Sequence, residues 1–176
     1  MSFDAQSDPL GVRSVDITRA ERGWRLSCSQ WVPSSIDDVF AFFASPHNLE
    51  RLTPPFLRFT IRCVRNEPVQ AGTLLDYTLR FHHVPVFWRS QIAEWSPPST
   101  FVDRQIRGPF RRWHHRHDFM AERHGTLIRD TVNYEFYLAP LVRTPLLGWV
   151  HGDLRRIFSY RQYQMRMLFG STALKE

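Results

Sequence analysis

The chain has 176 residues and a formal charge of +6, with 22 arginines and one lysine, Lys175, on the basic side. Its 14 Phe, 6 Trp and 5 Tyr are rich for this length, and the apolar fraction of 43% excludes a disordered protein. The longest apolar run, Val39–Ala44, is far short of the roughly 20 residues that span a bilayer, and MSFDAQSDPLG shows neither the basic region nor the apolar core of a secretory signal.

The charge does not indicate nucleic acid, because the arginines are scattered among acids, as in Asp103-Arg104, Arg129-Asp130 and Asp153-Leu154-Arg155-Arg156. Cys28 and Cys63 have neither zinc-site spacing nor the makings of a disulfide framework, so a reduced, cytoplasmic protein is expected.

Residues 1–22 are polar and read as a flexible extension, although Val12, Val15 and Ile17 could add a short strand. A single domain is expected over residues 23–170, followed by a tail at 171–176. Trp24–Gln30 alternates and reads as a strand, with Trp31 interrupting the pattern. Ser34 or Ser35 can cap a following helix, with Asp37 or Asp38 three residues on. Ile36, Val39, Phe40 and Phe43 share one face of that helix. Ser45-Pro46 opens a second short helix, and Thr53-Pro54-Pro55 ends it.

Six alternating segments follow, at Phe59–Val64, Thr73–Phe81, Val86–Trp95, Phe101–Arg107, Trp113–Ala121 and Leu127–Tyr137. They predict an antiparallel sheet. Leu147, Val150, Leu154, Phe158, Arg161, Met165 and Leu168 then recur at three or four, predicting a helix of about six turns with Gly170 suited to its C-cap. The fold class is α+β: about seven strands covered by a long C-terminal helix, with two short helices after strand one.

Trp113, His115, His117 and Phe119 share the inward face of one strand. Ile128, Asp130, Val132, Tyr134 and Phe136 share that of the next, where an acid among four apolar neighbours is unusual. A two-residue turn at His124-Gly125 pairs Arg123 with Thr126. His117 then faces Val132, His115 faces Tyr134, and Asp130 faces Phe119, diagonal to His117. The strand at 101–107 has two readings. A three-residue turn at Gly108-Pro109-Phe110 places Asp103 opposite His115 and Gln105 opposite Trp113. A two-residue turn sends Val102 and Ile106 inward, which hydrophobicity mildly favours.

A buried Asp beside a buried His is costly unless paired. It reads either as the polar floor of an apolar cavity or as a hydrogen-bond pair fixing register. His82-His83 and His114 read as exposed histidines, and Arg161 either snorkels or neutralises an acidic ligand. Gly108, His115-x-His117 and Glu122 resemble a loosened first cupin motif, but the spacing is off by one and no second motif follows. No metal or cofactor is therefore expected. A phosphate-cradling loop, a Ser-His-Asp motif and a Rossmann fingerprint are also missing from the sequence.

Pro33, Val39-Phe40, Phe42-Phe43, Pro46, Asn48-Leu49 and Leu52-Thr53-Pro54-Pro55 resemble the opening of the SRPBCC superfamily, which includes START-type and polyketide cyclase/dehydrase-like proteins. Ala71-Gly72-Thr73, Tyr77, Trp88, Ile92, Trp95, the 101–109 segment, Trp113-x-His115-x-His117-x-Phe119 and Asp130-x-Val132-x-Tyr134 resemble its bacterial branch. The resemblance covers about residues 24–169 and implies a helix-grip fold with a cavity between sheet and long helix. The expected ligand is a hydrophobic small molecule such as a lipid, quinone or polyketide-like aromatic. The candidate ligand-binding residues are Tyr77, Leu79, Trp88, Ile92, Asp103, Gln105, Trp113, His115, His117, Phe119, Asp130, Val132, Tyr134, Leu154, Phe158 and Arg161. The alternative is a cyclase or dehydratase using His117 and Asp130 as an acid–base pair. Neither reading requires nucleic acid. Peripheral membrane contact through the outward arginines is compatible with the composition, and a monomer or homodimer is expected.

Overall fold

The computed structural model describes residues 14–82, 84–137 and 145–170; Val12, His83 and the 171–176 tail lie outside them. In chain order the elements are β1 (Asp16–Arg19), β2 (Trp24–Val32), α1 (Ile36–Ala44), α2 (Asn48–Arg51), a 3-10 turn (Pro55–Leu57), β3 (Thr60–Arg65), β4 (Leu74–Phe81), β5 (Val84–Ser96), β6 (Thr100–Arg107), β7 (Arg112–Glu122), β8 (Gly125–Glu135) and α3 (Pro145–Phe169). The eight strands form one antiparallel sheet ordered β1-β2-β8-β7-β6-β5-β4-β3, with α3 as the long cover expected of a helix-grip fold. The added strand is β1, which pairs with β2 from Asp16↔Ser27 to Arg19↔Trp24 inside the segment expected to be a loose extension. No helix among the described residues is long and apolar enough to cross a membrane.

Local chemistry accounts for most boundaries. Ser35 caps α1: its Oγ accepts from the Asp38 amide at 3.1 Å and donates to Asp38 Oδ2 at 2.6 Å. Such a cap stabilises a helix by about 1 kcal/mol. Val39 and Phe40 are the buried residues of α1. On β2, Leu26, Cys28, Gln30 and Val32 point inward, while Trp31 lies on the other face and donates from Nε1 to the Glu122 carbonyl at 2.9 Å. Cys28 is buried, Cys63 is exposed, and both are free.

The β7–β8 hairpin differs from the expected register. The turn is Arg123-His124, with Glu122 paired to Gly125, and both turn residues have positive φ, 51° and 61°. That is the geometry of a two-residue turn matched to strand twist. Gly125 sits in the ladder, where a Cβ would run into the Val32 carbonyl and the Trp31 ring. The pairing therefore moves by two residues. His117 faces Asp130, His115 faces Val132, Trp113 faces Tyr134 and Phe119 faces Ile128. A shift of two leaves every side chain on its expected face.

On β6 the hydrophobicity argument fails. Asp103 pairs with His115 and Phe101 with His117, so Phe101 and Asp103 face inward. Val102 is fully buried on the opposite face, where its strand neighbours are Glu94 and Arg116. These two join over it in a 3.1 Å ion pair that keeps water from Val102. Ile106 falls at a register shift between Ser90↔Gln105 and Arg89↔Arg107 and is half exposed. A second shift, between Ile92 and Glu94, lets Ile92 and Trp95 both turn inward although they are three residues apart.

Candidate functional site

A cavity of about 170 Å³ lies between the inner face of β4–β7, the middle of α3 and the α1–α2 region. Its walls are apolar: Leu75, Leu79, Trp88, Ile92, Phe101, Trp113, Leu154 and Phe158 contribute, together with Phe42, Phe43, Leu52, Leu57 and Phe59 from the short helices and the segment after them. Ser45, Pro46 and Asn48 contribute from the α1–α2 connection. Apart from Ser45, Asn48 and Thr53 on the α1–α2 side, the polar groups converge at one place, formed by Tyr77, Ser90, Asp103, His115, His117 and Arg161.

Strand pairing dictates this convergence. Asp103 stands opposite His115 across β6–β7, and Asp130 stands opposite His117 across β7–β8. The result is a closed ring of four side chains. Asp130 Oδ1 lies 3.0 Å from His115 Nε2 and 2.8 Å from His117 Nδ1. The first contact is a hydrogen bond; at the second, the His117 nitrogen is close but off the hydrogen-bond line. On the other side, Asp103 Oδ2 lies 3.4 Å from both His115 Nδ1 and His117 Nε2. The imidazole centroids are 3.8 Å apart, and His117 stacks on Phe101 at 4.2 Å.

Two further contacts extend the ring. Ser90 Oγ donates to Asp103 Oδ1 at 3.5 Å and accepts from Trp88 Nε1 at 3.1 Å, with Tyr77 Oη 3.3 Å away. From α3, Arg161 Nη1 approaches Asp130 Oδ1 at 3.6 Å while its guanidinium lies 5.2 Å from the centroid of the Phe158 ring. Nε and Nη1 of this buried arginine have no hydrogen-bond acceptor among the described residues. Arg161 therefore keeps its head inside rather than snorkelling to water.

The electrostatics follow from burial in competition with pairing. Burial pushes the Asp103 carboxyl up, but hydrogen bonds from His115 and His117 outweigh it and hold it below the usual carboxylate range. The same competition lowers Asp130 well below its ordinary value, with Arg161 adding to the effect. For His115 burial works downward, and the hydrogen bonds to Asp103 and Asp130 reverse it, so its pKa rises. With neutral imidazoles the two carboxylates and Arg161 sum to one negative charge in a low-dielectric setting.

Of the residues expected to bind ligand, Tyr77, Leu79, Trp88, Ile92, Asp103, Trp113, His115, His117, Leu154, Phe158 and Arg161 line the cavity. The remaining five do not. Asp130 lies behind the two imidazoles. Phe119, Val132 and Tyr134 are packed in the core at 2%, 0% and 0% exposure. Gln105 is used locally: its amide donates to the Phe110 carbonyl and accepts from the Phe110 amide, shaping the β6–β7 loop. Ser90 is the polar cavity residue that the sequence reading passed over. Its signal was a small hydroxyl between Trp88 and Ile92 on one inward face. His82 is exposed, as expected, but its Nε2 pairs with Asp153 Oδ2 on α3 at 2.8 Å.

Protein Ms6760 from Mycobacterium smegmatis has a similar structure, at 16% identity and a TM-score of 0.64, covering 92% of this chain and 99% of that one. A protein from Arthrobacter aurescens is similar at 13% identity and a TM-score of 0.66, covering 88% and 93%. Ginseng major latex-like protein 151 from Panax ginseng is similar at 13% identity and a TM-score of 0.61, covering 82% and 96%. These likenesses show the fold. No curated protein matches the chain. The family described as polyketide cyclase / dehydrase and lipid transport matches residues 32–159, more than half of the sequence. The chain therefore belongs to that family and, with its helix-grip architecture, to the SRPBCC superfamily.

Proposed function

We propose that the protein binds a hydrophobic small molecule of the lipid, quinone or polyketide-like aromatic type in the cavity between sheet and α3. The observation that carries this reading is an apolar-walled cavity whose polar groups gather at one place, beside an arginine with unused donors. Family and fold are consistent with it. An engineered apolar cavity of about 150 Å³ accepts benzene. The buried part of the ligand is accordingly a ring or a short chain end, and the rest of a longer molecule runs toward the α1–α2 connection. An oxygen acceptor on the ligand meets Arg161.

Native mass spectrometry of protein taken from cells, with fluorescence titration of an apolar naphthalene dye, tests the proposal. Leu79→Phe with Ile92→Phe fills the cavity and is expected to weaken dye binding at least about tenfold (~1.4 kcal/mol) while the protein stays folded. A wild-type protein that retains no molecule and binds no dye would overturn the reading.

A second reading, a cyclase or dehydratase, is favoured by the His117–Asp130 contact. His117 lines the cavity with Asp130 Oδ1 2.8 Å from its Nδ1 and Asp103 Oδ2 3.4 Å from its Nε2, an imidazole between two carboxylates that can pass a proton to or from a bound molecule. Under that reading His117→Gln and Asp130→Asn abolish turnover of a substrate that still binds. Unchanged turnover in both variants excludes it.

A further inference from the structure

Asp103, His115 and His117 each direct one ligand atom to a common region, all within 4.8 Å of one another. The spacing is specific. Asp103 Oδ2 is 3.4 Å from the facing nitrogen of each histidine. Ligands held about 2.0–2.1 Å from a tetrahedral zinc ion stand about 3.4 Å apart along the edges of the tetrahedron. Direct N–H···O hydrogen bonds usually close to about 2.9 Å. Both contacts are thus at the long end for hydrogen bonds, and the same separation matches two edges of such a tetrahedron.

The far side of each imidazole supports the same conclusion. His115 Nε2 and His117 Nδ1 both approach Asp130 Oδ1, at 3.0 and 2.8 Å. Metal-bound histidines almost always turn their other N–H toward a carboxylate or carbonyl, which leaves the lone pair on the metal side. Here one buried carboxylate hydrogen-bonds His115 Nε2 and lies in close contact, off the hydrogen-bond line, with His117 Nδ1. Asp103, His115 and His117 line the cavity, whereas Asp130 does not. The three residues thus border the open space, and the orienting carboxylate lies outside its lining.

Charge adds a third argument. Arg161 stands beside Asp130, whereas Asp103 has no arginine or lysine within ion-pair distance among the described residues. A divalent ion on Asp103 would carry one net positive charge, which suits an anionic oxygen arriving from the cavity beside Arg161. Two histidines and one carboxylate with open positions form a donor set used by divalent transition metals rather than by calcium or magnesium.

We propose that Asp103, His115 and His117 bind a divalent transition-metal ion, that Asp130 positions both histidines, and that the open coordination takes a carboxylate, enolate or phenolate oxygen of the bound molecule. This goes beyond the binding of an apolar molecule, which can hold or fail independently.

Chelator-treated full-length protein titrated with Co²⁺ tests the site. The expected result is saturable binding of one equivalent, with a visible d–d band that Zn²⁺ displaces. His117→Gln and Asp103→Asn each abolish the band, Asp130→Asn keeps it and weakens affinity about 10–100-fold, and His82→Ala changes nothing. Benzoate shifts the band of the wild-type complex. Ring resonances of His115 and His117 move on Zn²⁺ addition to wild-type protein, a readout that needs no variant to fold. Absence of saturable Co²⁺ binding, or ring resonances that ignore Zn²⁺, would overturn the metal site. A band indifferent to benzoate would overturn the anionic-oxygen part. Dye titration of the metal-free protein, run in parallel, reports on the cavity alone.

Discussion

The two halves of the sheet use the same alternating pattern to different ends. Under β2 and β8 the helix α3 is seated directly on the strands. Gln30 Nε2 donates to the Gln162 carbonyl at 2.8 Å, Gln162 Nε2 donates to the Ser29 carbonyl at 3.3 Å, and the Trp24 and His151 rings meet edge to face at 4.5 Å. Leu26, Val132 and Tyr134 in this half are fully buried. Under β4 to β6, Leu75, Tyr77, Leu79 and Ile92 look across open space instead. There a tie to α3 is His82–Asp153, beside the β4–β5 turn. One edge of the helix is clamped and the other is held off, so the same kind of apolar face becomes core on one side and cavity wall on the other. The histidine–aspartate ring lies at the boundary between them.

Leu→Ala substitutions offer the sharpest way to break this contrast. Leu26→Ala removes a side chain with neighbours all round and is expected to cost about 4–5 kcal/mol, near the top of the range for buried leucines. Leu79→Ala enlarges a space that already exists and should cost about 2 kcal/mol, near the bottom. Urea denaturation reads both, and equal costs would erase the distinction between the halves. Gln30→Leu comes next. It deletes one clamp between β2 and α3, with an expected loss of about 1 kcal/mol and little change in dye affinity. A large fall in dye affinity would mean that the clamp sets the width of the cavity.

The smallest effect concerns the outer face of the open half. Hydrogen bonds from Arg89 at 2.5 and 2.7 Å, with Arg65 at 3.6 Å, hold the Asp76 carboxyl below its ordinary value of about 3.9. A depressed folded-state value contributes stability that is present above that ordinary value and lost as pH falls through the folded one. Asp76→Asn should therefore lower Tm near neutrality, where the contribution is fully present, and flatten the acid limb so that the two melt profiles converge at low pH. An unchanged Tm at neutral pH, or an acid limb as steep as that of the wild type, would contradict the assignment.

Much of this architecture can be read directly from residue periodicity. Period-two alternation gave the inward faces of β7 and β8, and the three-and-four spacing gave α3 with Leu154, Phe158 and Arg161 on its inner side. The limits have physical causes. Phe119 and Tyr134 leave water as readily as Leu79 and Trp88 do, so hydrophobicity alone cannot separate packed residues from cavity walls. Asp103 was ambiguous because Val102 hides under an ion pair from neighbouring strands, a shelter that exists only once those strands have paired. Trp95 depended on a register shift that no local pattern announces, whereas Ser90 shares plain alternation with Trp88 and Ile92. Asp130 came out nearer to His117 than expected because Gly125 is required by the Trp31 contact and not by the turn.

The Arg123-His124 turn has an evolutionary corollary. Moving a two-residue turn by one position along the chain slides the pairing by two and still presents the same face to the interior, so the fold tolerates the change easily. The move nevertheless gives Asp130 a new opposite number: His117 in this structure, Phe119 in the register displaced by two. Where the turn falls at an exposed tip can therefore make or unmake the polar ring some 20 Å or more down the strand, at about 3.4 Å per residue, without touching a residue in it. Among chains sharing this scaffold, the position of that turn is a character worth comparing before any residue of the cavity.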